Sequence, residues 1–530
     1  MKREENHIMR KSHKRLVALV IVISMVVGLF IGCTESNENK VHNAPEYKLA
    51  DLTKDEITLS YWFWYDMEIN EKLKEEFEKL YPNITVELIE HDVGSSGGEL
   101  SAMAAAGKLP DCFLVLGSPE VFASNGLLFD MSLLWEYDAD SKNVIKGVNE
   151  FKLGYLGTEG KWVTPAKFYP TAAFLNLDVF VRNGEEMPSM DWTWDEFEST
   201  VERMTREDKV TGKHVFGTTS GVSVITWYPL AADKSCIGEF GWNGTEYDMK
   251  NWVYGLDLEA TWIASRNKPD KSTGEKYEEL EKEYGEGKIY PEEVGYSAVH
   301  CDHWWNWEDY YITDEYIEDY NIVFVPYMMP HVEGVVDGNY LAIMDMGGIS
   351  ATTEYPREAY ELLKFMTWGT EGWKHKLKYY PDLIDNEGTV KERPVAKNNC
   401  PITLDEDIWE GFAKWHPNSE TGDKYIVEKF GEEYDRSKYF EYFLKQVKKS
   451  TWTCYGGQQI AGFEKWLLNV YYGYDGKQDF GYDGGLGIEE ACIYGKSEAR
   501  NYYEYLQDEA NRIQKDNLDE LIKEITPGGV

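Results

Sequence analysis

After residue 55 the chain alternates short apolar runs with amphipathic stretches. Ile57 to Trp64 (ITLSYWFW) has the length and the β-branched, aromatic content of a buried strand. Leu73, Phe77 and Leu80 then recur at helical spacing, and Pro82 closes that helix. Ile84 to Ile89 predicts a second strand, Ser101 to Ala106 a small-residue helix ended by Gly107, and Phe113 to Leu116 a third strand. Strands alternating with helices predict βαβ units and a parallel sheet, hence an α/β fold. Further along, Thr193-Trp194-Asp195-Glu196 forms a capping box that opens a helix through Met204. Ala359, Leu362, Leu363 and Met366 share one face of another helix, entered by Pro356. From about Glu406 onward the pattern is helical, with long aromatic-rich loops. No internal repeat is visible.

A different pattern precedes all of this. Lys2, Arg3, Arg10, Lys11, Lys14 and Arg15 form a basic head, followed by an uncharged run from Leu16 to Gly32, apolar but for Ser24, that ends at Cys33. A basic region, a short apolar region and small residues at the cut describe an export signal. The run is at the lower edge of what crosses a bilayer as a helix, which leaves an uncleaved anchor as the alternative. Phe30-Ile31-Gly32-Cys33 resembles a bacterial lipobox, with Phe where that pattern prefers Leu. The resemblance implies that Cys33 is acylated, as by palmitate, and that the protein is held by lipid on the extracytoplasmic face of the cell membrane. Thr34 to Asp51 is polar and without period, which reads as a flexible tether.

Size and charge narrow the function. Roughly 480 residues remain beyond the tether, more than one core usually holds, so two lobes are expected. A net charge of −40 repels nucleic acid and anionic headgroups, and it also serves solubility. Beyond Cys33, the six cysteines Cys112, Cys236, Cys301, Cys400, Cys454 and Cys492 are widely spaced without a C-x-x-C pair. Buried thiols are the expectation, with no disulfide framework and no assigned pairing. His300-Cys301-Asp302-His303 has metal-ligating residue types, but consecutive side chains on a strand alternate between faces, so no metal or other cofactor is assigned.

Several segments then carry a family resemblance. Phe77-Glu78-Lys79-Leu80-Tyr81-Pro82-Asn83-Ile84, Ala105-Ala106-Gly107-Lys108-Leu109-Pro110-Asp111 and Gly126-Leu127-Leu128-Phe129-Asp130 occur in that order. Phe174 to Phe180, Pro188, Trp192 to Phe197, and Gly348-Ile349-Ser350 with Ala359 to Trp368 follow. Together they resemble the extracellular solute-binding proteins of ABC importers, family 1, the group that includes maltose-binding proteins. The resemblance covers roughly residues 55 to 370. It implies a two-lobe, periplasmic-binding-protein-like fold of class II, closing by a hinge, with the chain crossing near Tyr169 to Ala173 and near Leu341 to Gly347. It further implies 55–170 plus 345–385 as a first lobe and 171–344 plus 386–530 as a second, after a signal (1–33) and a tether (34–54).

Ligands in open α/β sheets bind beyond the carboxyl ends of strands. The candidates there are Trp64, Tyr65 and Asp66 after the first strand, Ser118 and Glu120 after the third, and Lys167 ahead of the first crossing. Trp227, Tyr228, Trp304, Trp305, Trp452 and Tyr455 join them from later loops. Flat indole and phenol faces pack against the C–H patches of a pyranose, while acids and lysines at the rim bond its hydroxyls. About half of the 19 tryptophans are expected to be core residues, Trp192 and Trp194 among them. The expected function is capture of an oligosaccharide and its delivery to ABC permease subunits, without catalysis. A secreted glycan-active enzyme, or a binding protein for peptides or another non-sugar solute, is the alternative. No G-x-S-x-G, H-E-x-x-H or P-loop occurs.

Overall fold

The computed structural model describes residues 49–65, 67–91, 96–115, 119–148, 160–220, 224–236, 239–271, 273–306, 320–335, 339–379, 399–415, 423–455, 466, 470–471, 487–495 and 497–525. The strands, in chain order, are β1 (Ile57–Phe63), β2 (Ile84–Glu90), β3 (Cys112–Val115), β4 (Val163–Asn176) and β5 (Arg206–Glu207). Then come β6 (His214–Ser220), β7 (Ser297–His303), β8 (Phe324–Met328), β9 (Asn339–Ile349) and β10 (Thr451–Tyr455). The helices used below are α1 (Met67–Leu80), α2 (Trp194–Met204), α3 (Val224–Ala232), α4 (Lys250–Ala264) and α5 (Pro356–Met366). They continue with α6 (Thr370–Tyr379), α7 (Glu406–Trp415), α8 (Ser437–Lys449) and α9 (Tyr503–Ile525).

The local signals in the sequence act as physical chemistry requires. The Thr193 hydroxyl accepts from the Glu196 backbone N–H while the Glu196 carboxylate accepts from the Thr193 N–H, which satisfies two otherwise orphaned donors and starts α2. Pro356 stands in the first turn of α5, where its missing N–H is harmless. Leu73 and Phe77 of α1 are wholly buried, but Leu80, expected on the same face, is 48% exposed at the helix end.

The sheet is mixed rather than parallel throughout. β1 pairs in parallel with β2 and β3, and β6 with β7, as βαβ units demand. β9, however, runs antiparallel to both β3 and β4. β4 is the link between two groups of strands. As far as Pro170 it pairs with β9, and from Thr171 and Ala172 onward with β7 and β8. The change of partner falls within the stretch where the first crossing was expected. β9 bonds to the first group along its whole length, but Leu341 packs in the second core and Ala342, Met344 and Met346 in the first.

The two strand groups each carry a core, giving a two-lobe periplasmic-binding-protein-like fold. The first core gathers Leu59, Leu73, Phe77, Phe113, Phe168, Met344 and Leu363. The second gathers Leu175, Phe180, Trp192, Trp194, Phe197, Val299 and Tyr327. Within the tail expected in the second lobe, Cys400 and Ile402, with Ile408, Trp409 and Phe412 of α7, instead pack in the first core, against α6. α8 bridges, with Tyr439 in the second core and Phe440, Phe443 and Val447 in the first. A third core joins Trp252, Val253 and Leu256 of α4 to Trp466, Cys492, Leu506 and Ile513.

Close packing makes one glycine obligatory. A Cβ on Gly217 of β6 would stand 1.9 Å from the Val201 carbonyl oxygen of α2. Gly217→Ala must push helix and strand apart, and is expected to lower stability by about 1–3 kcal/mol or more in a denaturant melt. An unchanged midpoint would contradict this packing.

Candidate ligand-binding site

Where β4 changes partners, side chains from both strand groups converge. Trp64, immediately after β1, donates its indole N–H to Asp345 Oδ2 at 3.2 Å. The Tyr169 hydroxyl of β4 donates to the same oxygen at 3.4 Å. Lys167, opposite Asp345 in the β4–β9 register, donates from Nζ to the Trp64 carbonyl oxygen at 3.2 Å. From the second group, Trp305 sets its ring at 74° to Tyr169, centroids 5.2 Å apart, and lies 4.3 Å from His303. The Thr171 hydroxyl is 3.3 Å from His303 Nδ1. Asp345, Lys167, His303 and Trp305 are half-buried, so each keeps a surface for a ligand.

Tyr65 adds an exposed ring at the same edge. It is 48% exposed at the carboxyl end of β1 and has φ 58°, in the left-handed region. A tyrosine held there costs on the order of 1–3 kcal/mol, and the Asn70 amide, donating to the Tyr65 carbonyl at 3.4 Å, helps hold it.

Behind Trp305 lies a polar network. His300 Nε2 is 3.1 Å from Asp302 Oδ2, and His300 Nδ1 is 2.7 Å from the Thr219 hydroxyl. Asn306 donates to Asp302 Oδ2 at 2.5 Å, and the His303 backbone N–H to Oδ1 at 2.7 Å. Burial works to raise the Asp302 carboxyl, but the His300 and His303 contacts hold it below the usual carboxylate range. His300 and Asp302 thus meet on one side of β7 while Cys301 is buried in the second core. Among the described residues, no group of three or more His, Cys, Asp or Glu side chains could hold a metal ion.

Burial pushes the His303 imidazole down to about 4, with Asp302 working in the opposite direction. The unfolded chain binds that proton near the ordinary value of about 6.5. Between these values the unfolded state carries more protons, so stability should fall as pH drops from about 6.5 toward about 4. His303→Gln is expected to remove this part of the slope, seen as a melting-temperature difference from the parent that changes between neutral and acid pH. A pH-independent difference would assign the slope to other groups.

The structure sorts the residues picked from the sequence. Tyr65, Lys167 and Trp305 stand at this junction with surface to offer. Trp64 is there but only 3% exposed, so it holds Asp345 in place rather than presenting a face. Three tryptophans are corrected to core residues. Trp304 is fully buried, stacked 5.0 Å from Phe443 and near Phe174 and Phe440. Trp227 is packed on Trp194 and Phe197 in the second core. Trp452 of β10 packs on Phe168 and Tyr340 and donates its indole N–H to the Val447 carbonyl at 2.9 Å. Tyr228 is corrected as well, because its ring sits 4.4 Å from Trp194 and 4.7 Å from Tyr254, leaving little face to stack on. Cys33, Asp66 and Ser118 lie outside the described residues, as do the side chains of Glu120 and Tyr455. Tyr169, Asp345, His303 and Asn306 were missed, although an aspartate inside the apolar run of β9 was a readable signal.

A family model described as bacterial extracellular solute-binding protein matches residues 72–398. No curated protein matches the chain in sequence. Among solved structures, the ABC substrate-binding protein Lmo0181 from Listeria monocytogenes, in complex with cycloalternan, is similar at a TM-score of 0.53 and 17% identity, covering 86% of this chain and 99% of that one. A cyclic alpha-maltosyl-1,6-maltose binding protein from Arthrobacter globiformis gives 0.54 and 13%, covering 87% and 99%. The GacH receptor of Streptomyces glaucescens, solved unliganded and with acarbose, gives 0.52 and 14%, also covering 87% and 99%. At these identities the likeness is one of fold.

Proposed function

We propose that this chain, which belongs to the bacterial extracellular solute-binding proteins, captures an oligosaccharide between its lobes and delivers it to the transmembrane subunits of an ABC permease. The observation that carries the reading is the junction at β4. There Trp305 packs on Tyr169, Tyr169 shares Asp345 with Trp64, Lys167 reaches the Trp64 carbonyl, and the exposed Tyr65 follows Trp64 in the chain. Aromatic faces desolvate the C–H patches of a sugar ring, and the carboxylate and ammonium bond its hydroxyls. Proteins of the same fold solved with cycloalternan and with acarbose support this choice of ligand.

Calorimetry of the protein against a panel of neutral oligosaccharides tests it. Saturable binding with intact sugar recovered is the expected result. Recovery of shortened products would favour a glycan-active enzyme, and binding of peptides but no glycan would replace the sugar reading.

The second part of the proposal is location. Among the described residues no helix is long and apolar enough to cross a membrane, and the apolar run 16–32 lies outside them. We read that run and Cys33 as a lipoprotein signal, with the acyl chains on Cys33 holding the protein at the extracytoplasmic face. Cys33→Ser is expected to release the protein from membranes or leave it uncleaved. A Cys33→Ser protein still cleaved and membrane-held as before would sink the lipid anchor.

A further inference from the structure

A cavity of about 550 Å³ lies away from the junction described above. Alternation along the strands puts it on the opposite face of the crossing. On β4, Lys167 and Tyr169 point toward the ligand site, while Phe168 between them packs on Trp452. On β9, Asp345 points toward the site, whereas Tyr340, five residues earlier, packs on Trp452 and lines the cavity.

The walls come from both lobes. Lys146, next to Ile145 of the first core, forms one side with Lys449 at the end of α8 and with Ser450 and Thr451. Asp191 and His331 form the other, and they belong to the second lobe: the His331 carbonyl accepts from the Trp194 backbone N–H at 2.8 Å. Among the described residues neither Lys146 nor Lys449 forms an ion pair, though the chain has 94 acidic residues to 54 basic ones. Asp191, the lining carboxylate, turns to water, its side chain 78% exposed and 3.8 Å from His331 Nδ1. The net charge of −40 repels anions at long range, but physiological salt screens that field beyond about 8 Å. Inside the cavity the two ammoniums therefore decide the sign.

We propose that this cavity binds a small solute bearing an oxyanion, phosphate or carboxylate, and that the bound solute biases the hinge. The oxyanion sits between Lys146 and Lys449, and the remaining volume, lined by Gln446, Ser450, Thr451 and Tyr340, suits hydroxyls on the rest of the molecule. Rotation of the lobes about the crossing strands narrows one face as it widens the other, so the distance between the two walls differs between open and closed states. A ligand touching both walls favours one of them.

Inorganic phosphate and acetate, each at ionic strength matched with sodium chloride, are the probes, titrated calorimetrically into the full chain. Saturable binding of phosphate identifies a phosphate-type site, and of acetate alone a carboxylate-type site. Each of Lys146→Gln and Lys449→Gln should weaken that binding by about tenfold, and both positions are exposed, so the fold is kept. Small-angle scattering of the parent should show a change of radius of gyration with the ion, lost in the double variant. No saturable binding of either ion, or equal binding by the variants, overturns the site, and binding without a change in scattering overturns the bias on the hinge. The inference does not depend on what the interlobe site holds, so its failure leaves the sugar reading standing.

Discussion

Trp304→Ala should lower the stability of the protein by about 3–5 kcal/mol, while Trp305→Ala, one residue on, should leave it nearly unchanged. Trp304 is wholly buried between Phe174 of β4 and Phe440 and Phe443 of α8, so its removal opens a cavity where the lobes meet. Trp305 is half-buried, in contact with Tyr169 and His303. Its loss, like that of Tyr65, is expected to weaken oligosaccharide binding by about 1–3 kcal/mol, or roughly five- to 150-fold. Denaturant melts and calorimetry on the two alanine variants read these effects separately. A melt unaffected in Trp304→Ala would contradict the packing, and unchanged affinity in both Trp305→Ala and Tyr65→Ala would remove the proposed site.

Asp345→Ala should damage both properties at once. The carboxylate oxygen is the acceptor for the Trp64 indole N–H and the Tyr169 hydroxyl, residues that are 3% and 7% exposed. Without it, two largely buried donors lose a partner, at about 1–3 kcal/mol each before any rearrangement. The same substitution removes a hydroxyl acceptor from the polar centre and lets Trp64 and Tyr169 shift, so sugar affinity should drop by at least about tenfold. Asp345→Asn keeps an acceptor oxygen and should recover much of the stability. If the alanine and asparagine variants melt alike, the shared hydrogen bonds contribute little and the network is not what positions Trp64.

Neighbouring residues here have opposite fates for a reason that local sequence does not record. Trp304 and Trp305 follow β7 directly, in a run His303-Trp304-Trp305-Asn306 that offers aromatic character at both positions. Which ring turns inward depends on α8, whose Phe440 and Phe443 pack on Trp304 from more than 130 positions later in the chain. Trp452 is expected in a loop, but β10 adds to β9 in parallel and buries it. Asp345 and Trp64 are 281 residues apart, and the pairing of β1 with β3 and of β3 with β9 brings them within hydrogen-bond reach.

By itself the sequence determined what short-range chemistry can determine. The Thr193–Glu196 capping box, the entry of α5 at Pro356, the strand periodicity of β1 and β2 and the order of short motifs each depend on contacts within a few residues, where backbone geometry leaves few choices. The tertiary structure alone decided which aromatic faces stay open, that Asp345 ties Trp64 to Tyr169, and that residues 400–412 join the first core. Those outcomes depend on long-range pairing of strands and on helices that cover one side of a sheet and not the other. Apolar residues of the same type serve equally well on either side, so the burial pattern follows from the assembled layers and not from the local code.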